Sequence, residues 1–136
     1  MSTRSKARKA ALDLLYEGDI RKTPAVNLLH IRVTDLEYVI RDFTKELVEG
    51  VDLHKRKLDE LITTYSQGWD MDRMPVIDRN ILRLAIFELL WSSDVPASVV
   101  ISEALELAQT LSTEESSKYI NGVLSKILEI KPDLVL

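Results

Sequence analysis

The residues able to do chemistry in this sequence gather in three places, and two of them suit a polyanion. The first is the start of the chain, where Arg4, Lys6, Arg8 and Lys9 stand in a stretch that carries no acid. Arg4 and Arg8 are four apart and share one helical face, while Lys6, Lys9, Asp13 and Tyr16 run along a neighbouring one. Guanidinium and ammonium groups pair phosphates, and the Tyr16 ring offers a surface on which an unstacked base can lie. The same pattern equally suits a solvated, frayed terminus with Tyr16 covering the edge of a core. The second place is later in the chain, where Glu115, Lys118, Gly122 and Ser125 share a face flanked by Tyr119 and Asn121. It repeats the mix of base, aromatic ring and amide, and Gly122 would let another backbone, or a neighbouring helix, come close.

The third place is of another kind. Asp78, Ile81, Ala85, Glu88 and Ser92 recur at helical spacing on the most apolar segment of the chain. A small, half-polar stripe there suits a docked protein partner, or else Glu88 is a buried carboxylate satisfied within the fold.

Catalysis has few parts to work with. The chain has two histidines and no cysteine, so thiol catalysis, thiolate metal sites and His-metal schemes lack their ligands. Neither of the Gly-rich phosphate-loop patterns occurs. The acidic pairs Asp59/Glu60, Glu103/Glu106 and Glu114/Glu115 read as solvated helix faces. The expectation is a protein that is not an enzyme and holds no metal or cofactor. No apolar run approaches the ~20 residues that span a bilayer, and the basic start is followed by no uninterrupted apolar run and cleavage site. A cytoplasmic protein with no membrane role is therefore expected. The formal net charge of −4 makes the basic arm a local attraction on an acidic body.

The elements that must position these residues are helices. Only four Gly and four Pro occur in 136 residues, and apolar residues recur three or four apart almost throughout, so the class is all-α. A first helix is predicted over residues 3–17, with Ala7, Ala11, Leu14 and Leu15 inward and Gly18 as its stop. A short helix follows over 25–30. Thr34-Asp-Leu-Glu37 reads as a capping box opening a helix of about 30 residues. Its stripe is Leu36, Ile40, Phe43, Leu47, Val51, His54, Leu58, Leu61 and Tyr65; His54 reads as structural, and Gly50 as a bend. After a loop over 66–75 comes an apolar central helix over 76–92. A helix over 97–111 has Ile101, Ala104, Leu105, Ala108 and Leu111 inward. Ser112-Thr-Glu-Glu115 reads as a second capping box, opening a last helix to about 129 with Ile120, Val123, Leu124, Ile127 and Leu128 inward. A loosely held tail ends the chain. The picture is two small helical bundles, about residues 1–66 and 67–136, packed as one domain.

Five segments, in this order and spacing, resemble the NusB family, and its actinobacterial branch most closely. They are Arg4-Ser-Lys-Ala-Arg-Lys-Ala-Ala-Leu-Asp-Leu-Leu-Tyr16, then Gly68-Trp-Asp-Met-Asp-Arg-Met-Pro-Val-Ile-Asp-Arg-Asn-Ile-Leu-Arg-Leu-Ala-Ile-Phe-Glu-Leu89. The third is Asp94-Val-Pro, followed by Glu103-Ala-Leu-Glu-Leu-Ala108 and Tyr119-Ile-Asn-Gly-Val-Leu124. The resemblance implies two fused three-helix bundles and transcription antitermination. In that role the protein binds single-stranded boxA RNA with NusE, a small-subunit ribosomal protein. The pair loads onto the RNA polymerase antitermination complex, notably on ribosomal RNA operons. It also implies RNA contact through Arg4, Lys6, Arg8, Lys9, Tyr16, Glu115, Lys118 and Tyr119, and puts Asp78, with Ile81 and Glu88, on the NusE-facing side. Ser5 interrupts the family's arginine-rich arm, which implies weak RNA affinity without the partner. Two alternatives are kept. One is the NusB-like leading domain of ribosomal RNA cytosine methyltransferases, against which stands the end of the sequence at Leu136, before any cofactor-binding domain. The other is a purely structural helical homodimer.

Overall fold

A computed structural model describes residues 2–35, 38–92 and 94–136. Six α-helices follow one another among them: α1 (Thr3–Arg21), α2 (Ala25–Thr34), α3 (Asp42–Tyr65), α4 (Val76–Trp91), α5 (Ala97–Leu111) and α6 (Glu114–Ile130). Single 3-10 turns stand at Met71–Arg73 and Lys131–Asp133, and no strand occurs among the described residues.

The Ser2 hydroxyl caps α1 by accepting from the Ser5 N–H at 3.1 Å. The helix does not stop at Gly18. It runs to Arg21 and ends on Lys22 in the left-handed region, φ 54°. Gly18 is needed for close approach instead: a Cβ there would lie 2.7 Å from the Thr23 carbonyl oxygen, where the chain turns back into α2. α2 is longer than its sequence suggests because Thr34 belongs to it, the hydroxyl donating to the Ile31 carbonyl. Thr34 therefore opens no long helix; α3 begins at Asp42, and Leu36 and Glu37 lie outside the described residues. With 24 residues α3 is a rod of about 36 Å. Gly50 lies inside it, its missing side chain replaced by the Phe87 ring: a Cβ would fall 2.1 Å from Phe87 Cζ.

α4 is the centre. It packs against α1, α3, α5 and α6, and twelve of its 16 residues are buried, Asp78, Asn80, Arg83 and Glu88 among them. On α5 Ala104 and Ala108 are buried as expected, Ile101 and Leu105 pack half-buried against the core, Val100 and Leu107 join the buried face, and Leu111 is 37% exposed. α6 is capped by Thr113, not Ser112; its hydroxyl accepts from the Ser116 N–H at 2.9 Å. Ile120, Val123, Leu124 and Ile127 face in, and Leu128 does not. Leu134 of the tail packs on the same core. Each buried Leu or Ile contributes roughly 1.5–3 kcal/mol relative to exposure. Among the described residues no helix is long and apolar enough to cross a membrane.

Candidate RNA and partner interface

The basic residues at the start of α1 divide into two sets. Lys6 is exposed, and among the described residues no ion pair holds it. Lys9 is partly exposed and donates to both carboxylate oxygens of Asp13, at 2.7 and 2.9 Å. Arg4 lies with its guanidinium 4.7 Å above the Phe43 ring and donates to Asp94 Oδ2 at 3.0 Å. That hydrogen bond holds the Asp94 carboxyl below its ordinary range. Tyr16, at 41% exposure, presents its ring to solvent.

Arg8 faces the other way. It is 3% exposed, and its Nε and Nη2 donate to the two oxygens of Glu88 at 2.7 and 2.9 Å. Glu103, which accepts from Ser5, stands 3.8 Å from Arg8 Nη1. The side chain read as a phosphate contact therefore ties α1 to α4 and α5, and is closed to RNA in this arrangement. Its place in the sequence carried the signal. Arg8 stands four and seven residues before Leu12 and Leu15, on the apolar side of its helix.

The start of α6 forms a second patch. Glu115 and Lys118 are exposed, and Tyr119 is half-buried. Trp69 meets the Tyr119 ring edge-on, with centroids 4.3 Å apart and planes at 78°, and the Tyr119 hydroxyl donates to the Gln67 carbonyl at 2.9 Å. Burial pushes the Tyr119 hydroxyl above its ordinary range, so it remains a donor. The two rings flank an open hollow of about 470 Å³ that reaches Glu115 and Pro75. Its turn is made at Gly68, φ +80°, a conformation other residues adopt with strain. Trp69 was not among the residues singled out by sequence. At Gly122 a Cβ would meet nothing within 4 Å, so no neighbouring helix requires that glycine. Both patches belong to helices seated on α4, which fixes their separation.

The stripe read as a partner surface is interior. Asp78 is 0% exposed, Ile81 and Glu88 1%, Ala85 2% and Ser92 7%. These residues are buried against neighbouring helices and present no surface in this arrangement. Glu88 has its partner in Arg8, while neither oxygen of Asp78 meets a hydrogen-bond donor among the described residues. Asp78 sits in the first turn of α4. A further polar cluster escaped sequence reading. Asp19 of α1 accepts from Arg79 (2.8 and 3.0 Å), Asn80 (3.0 Å) and Arg83 (2.9 Å) of α4, and Arg83 also grips Asp59 of α3. Burial alone would raise the Asp19 carboxyl. The hydrogen bonds from Arg79 and Asn80 and the Arg83 charge outweigh it and hold Asp19 far below the usual carboxylate range. No group of His, Cys, Asp and Glu able to hold a metal occurs among the described residues.

The NusB family model matches residues 5–129. The chain belongs to the NusB family. The transcription antitermination protein NusB of Nocardioides sp. (strain ATCC BAA-499 / JS614) is 48% identical over 134 residues, 98% of this chain and 99% of its own. T. maritima NusB superposes with a TM-score of 0.82 at 31% identity, over 98% of this chain and 99% of that one. A chain from the crystal structure of antitermination factors NusB and NusE in complex with dsRNA superposes at TM-score 0.80 and 28% identity, over 93% and 96%. The NusB fold thus accounts for all six helices, and the 42–48% identical relatives are mostly actinobacterial, the branch indicated by the sequence segments.

Proposed function

We propose that this chain is a transcription antitermination factor that binds single-stranded boxA RNA together with NusE. In the cytoplasm it joins the RNA polymerase antitermination complex on ribosomal RNA operons, and it catalyses no reaction. The observation that carries this reading is the near full-length likeness to a family member crystallised with both NusE and dsRNA. The surface supports it: Lys6, Lys9 and Arg4 along α1 and Lys118 on α6 supply cations, while Tyr16 and Tyr119 supply rings. Arg8 is left out because its charge is used inside. About four phosphate contacts on a single strand correspond to a log–log salt slope of about −2 to −3. Glu115 stands in the same patch and opposes phosphate, so binding by this chain alone is weak and a partner that adds surface tightens it. Asp78, Ile81 and Glu88 lie inside, so NusE is proposed to dock on other residues. An electrophoretic shift with boxA RNA, run with and without NusE, tests the reading: retarded RNA supports it, and unretarded RNA under both conditions refutes it.

A further inference from the structure

Between them, α3 and α4 leave an open groove of about 590 Å³ whose floor is Gly50, Phe87, His54 and Trp91. Three of these residues bring rings that lie nearly parallel. His54 and Trp91 stack with centroids 4.0 Å apart at 14°, and Phe87 stands 6.1 Å from each, at 28° and 20°. The platform is held in place from below, because Phe87 occupies the space that any side chain at residue 50 would fill. Leu53 lies open at the edge, 79% exposed. The rim is acidic: Asp42, Glu46 and Glu49 line it and are exposed. Lys45 is the one lysine or arginine among the described residues that line it, and it stands 3.9 Å from Asp42. Among the described residues neither Glu46 nor Glu49 has an ion-pair partner.

An aromatic floor inside a carboxylate rim is the chemistry that receives a guanidinium or ammonium group, through the ring face and the acids together. The molecule already uses it internally, with Arg4 lying over Phe43 and paired to Asp94. The same rim repels phosphate, so nucleic acid is the wrong occupant. We propose that this groove docks a basic segment of a partner protein, one arginine side chain lying over Trp91 with its charge met by Glu46 and Glu49 and an apolar neighbour on Leu53.

The test is a titration of the full chain, at about 0.15 M salt, with a short peptide of alternating arginine and leucine, followed by the indole N–H signals of Trp91 and Trp69 in NMR. A tetraglutamate peptide, boxA RNA and simple dilution of the protein are run in parallel. The expected result is a saturable shift at Trp91 and not at Trp69. The doubly substituted Glu46→Gln, Glu49→Gln protein, altered only at exposed positions, should bind at least about tenfold more weakly. Trp91→Ala should lose the binding measured calorimetrically, and the Gln variant keeps the test valid if Trp91→Ala fails to fold. The proposal is overturned if Trp91 is unmoved by the basic peptide, or if the Gln variant binds as tightly as wild type. It is equally overturned if RNA is what shifts Trp91, or if Trp91 shifts on dilution alone, which would make the occupant a second copy of the chain.

Discussion

Replacing Arg8 by Ala should damage the fold far more than a surface arginine could. The guanidinium makes two hydrogen bonds to Glu88, at 2.7 and 2.9 Å, and both side chains are almost fully buried, at 4% and 2% exposure. Removing one member of such a pair leaves a buried charge without compensation and costs about 3–5 kcal/mol. That is a large share of the roughly 5–15 kcal/mol that holds a domain together. For a chain of this length it corresponds to a fall in Tm of roughly 10–20 °C. Arg8→Met with Glu88→Met together should recover most of the loss, because apolar side chains of similar volume replace an ion pair at little net cost. Thermal and urea unfolding of wild type and the two variants, followed by circular dichroism, measures both differences. An Arg8→Ala protein that melts within about 1 kcal/mol of wild type would refute the buried pair, and would return Arg8 to the RNA-facing surface.

The remaining predictions concern the other contacts. Gly50→Ala forces a Cβ into the Phe87 ring and should destabilise by about 1–3 kcal/mol; adding Phe87→Leu should restore part of the unfolding midpoint. Asp19 has its carboxyl lowered from the ordinary 3.8, so its contribution is present above about pH 4 and is lost as pH falls toward the folded value. Acid titration of wild type should show that loss, and Asp19→Asn should be less stable at neutral pH with a flatter acid limb. Tyr119→Ala should weaken RNA binding by about 1–3 kcal/mol without changing its salt slope. Arg4→Ala with Lys6→Ala should flatten that slope by about one to two units, read from anisotropy at several salt concentrations.

The helices were legible because their apolar residues repeat at helical spacing, and α5 came out with the bounds its pattern suggests, Ala97–Leu111. The phase within a helix was less legible. The apolar residues that follow Arg8 put it on the inner side of α1, but its partner Glu88, 80 residues on, is joined to it only by the fold. Thr34 and Glu37 match a capping box, yet nothing local to that motif tells whether Thr34 starts one helix or ends the one before. Gly18 read as a stop and Gly50 as a bend, whereas both are close approaches decided by residues elsewhere, the Thr23 carbonyl and the Phe87 ring. At the candidate site Tyr119 and Lys118 could be found from residue type and spacing. Trp69 could not, because its contact with Tyr119 joins positions far apart in the chain, which no periodicity encodes.

The most direct test of the account is the affinity of fluorescently labelled boxA RNA for this chain, measured by anisotropy with and without saturating NusE and beside a scrambled RNA. Weak binding alone, tightened by NusE by about tenfold or more, which is about 1.4 kcal/mol or more of coupling, with boxA preferred over the scrambled RNA, is the predicted result. If the scrambled RNA binds as well as boxA and NusE changes neither affinity, the account is contradicted.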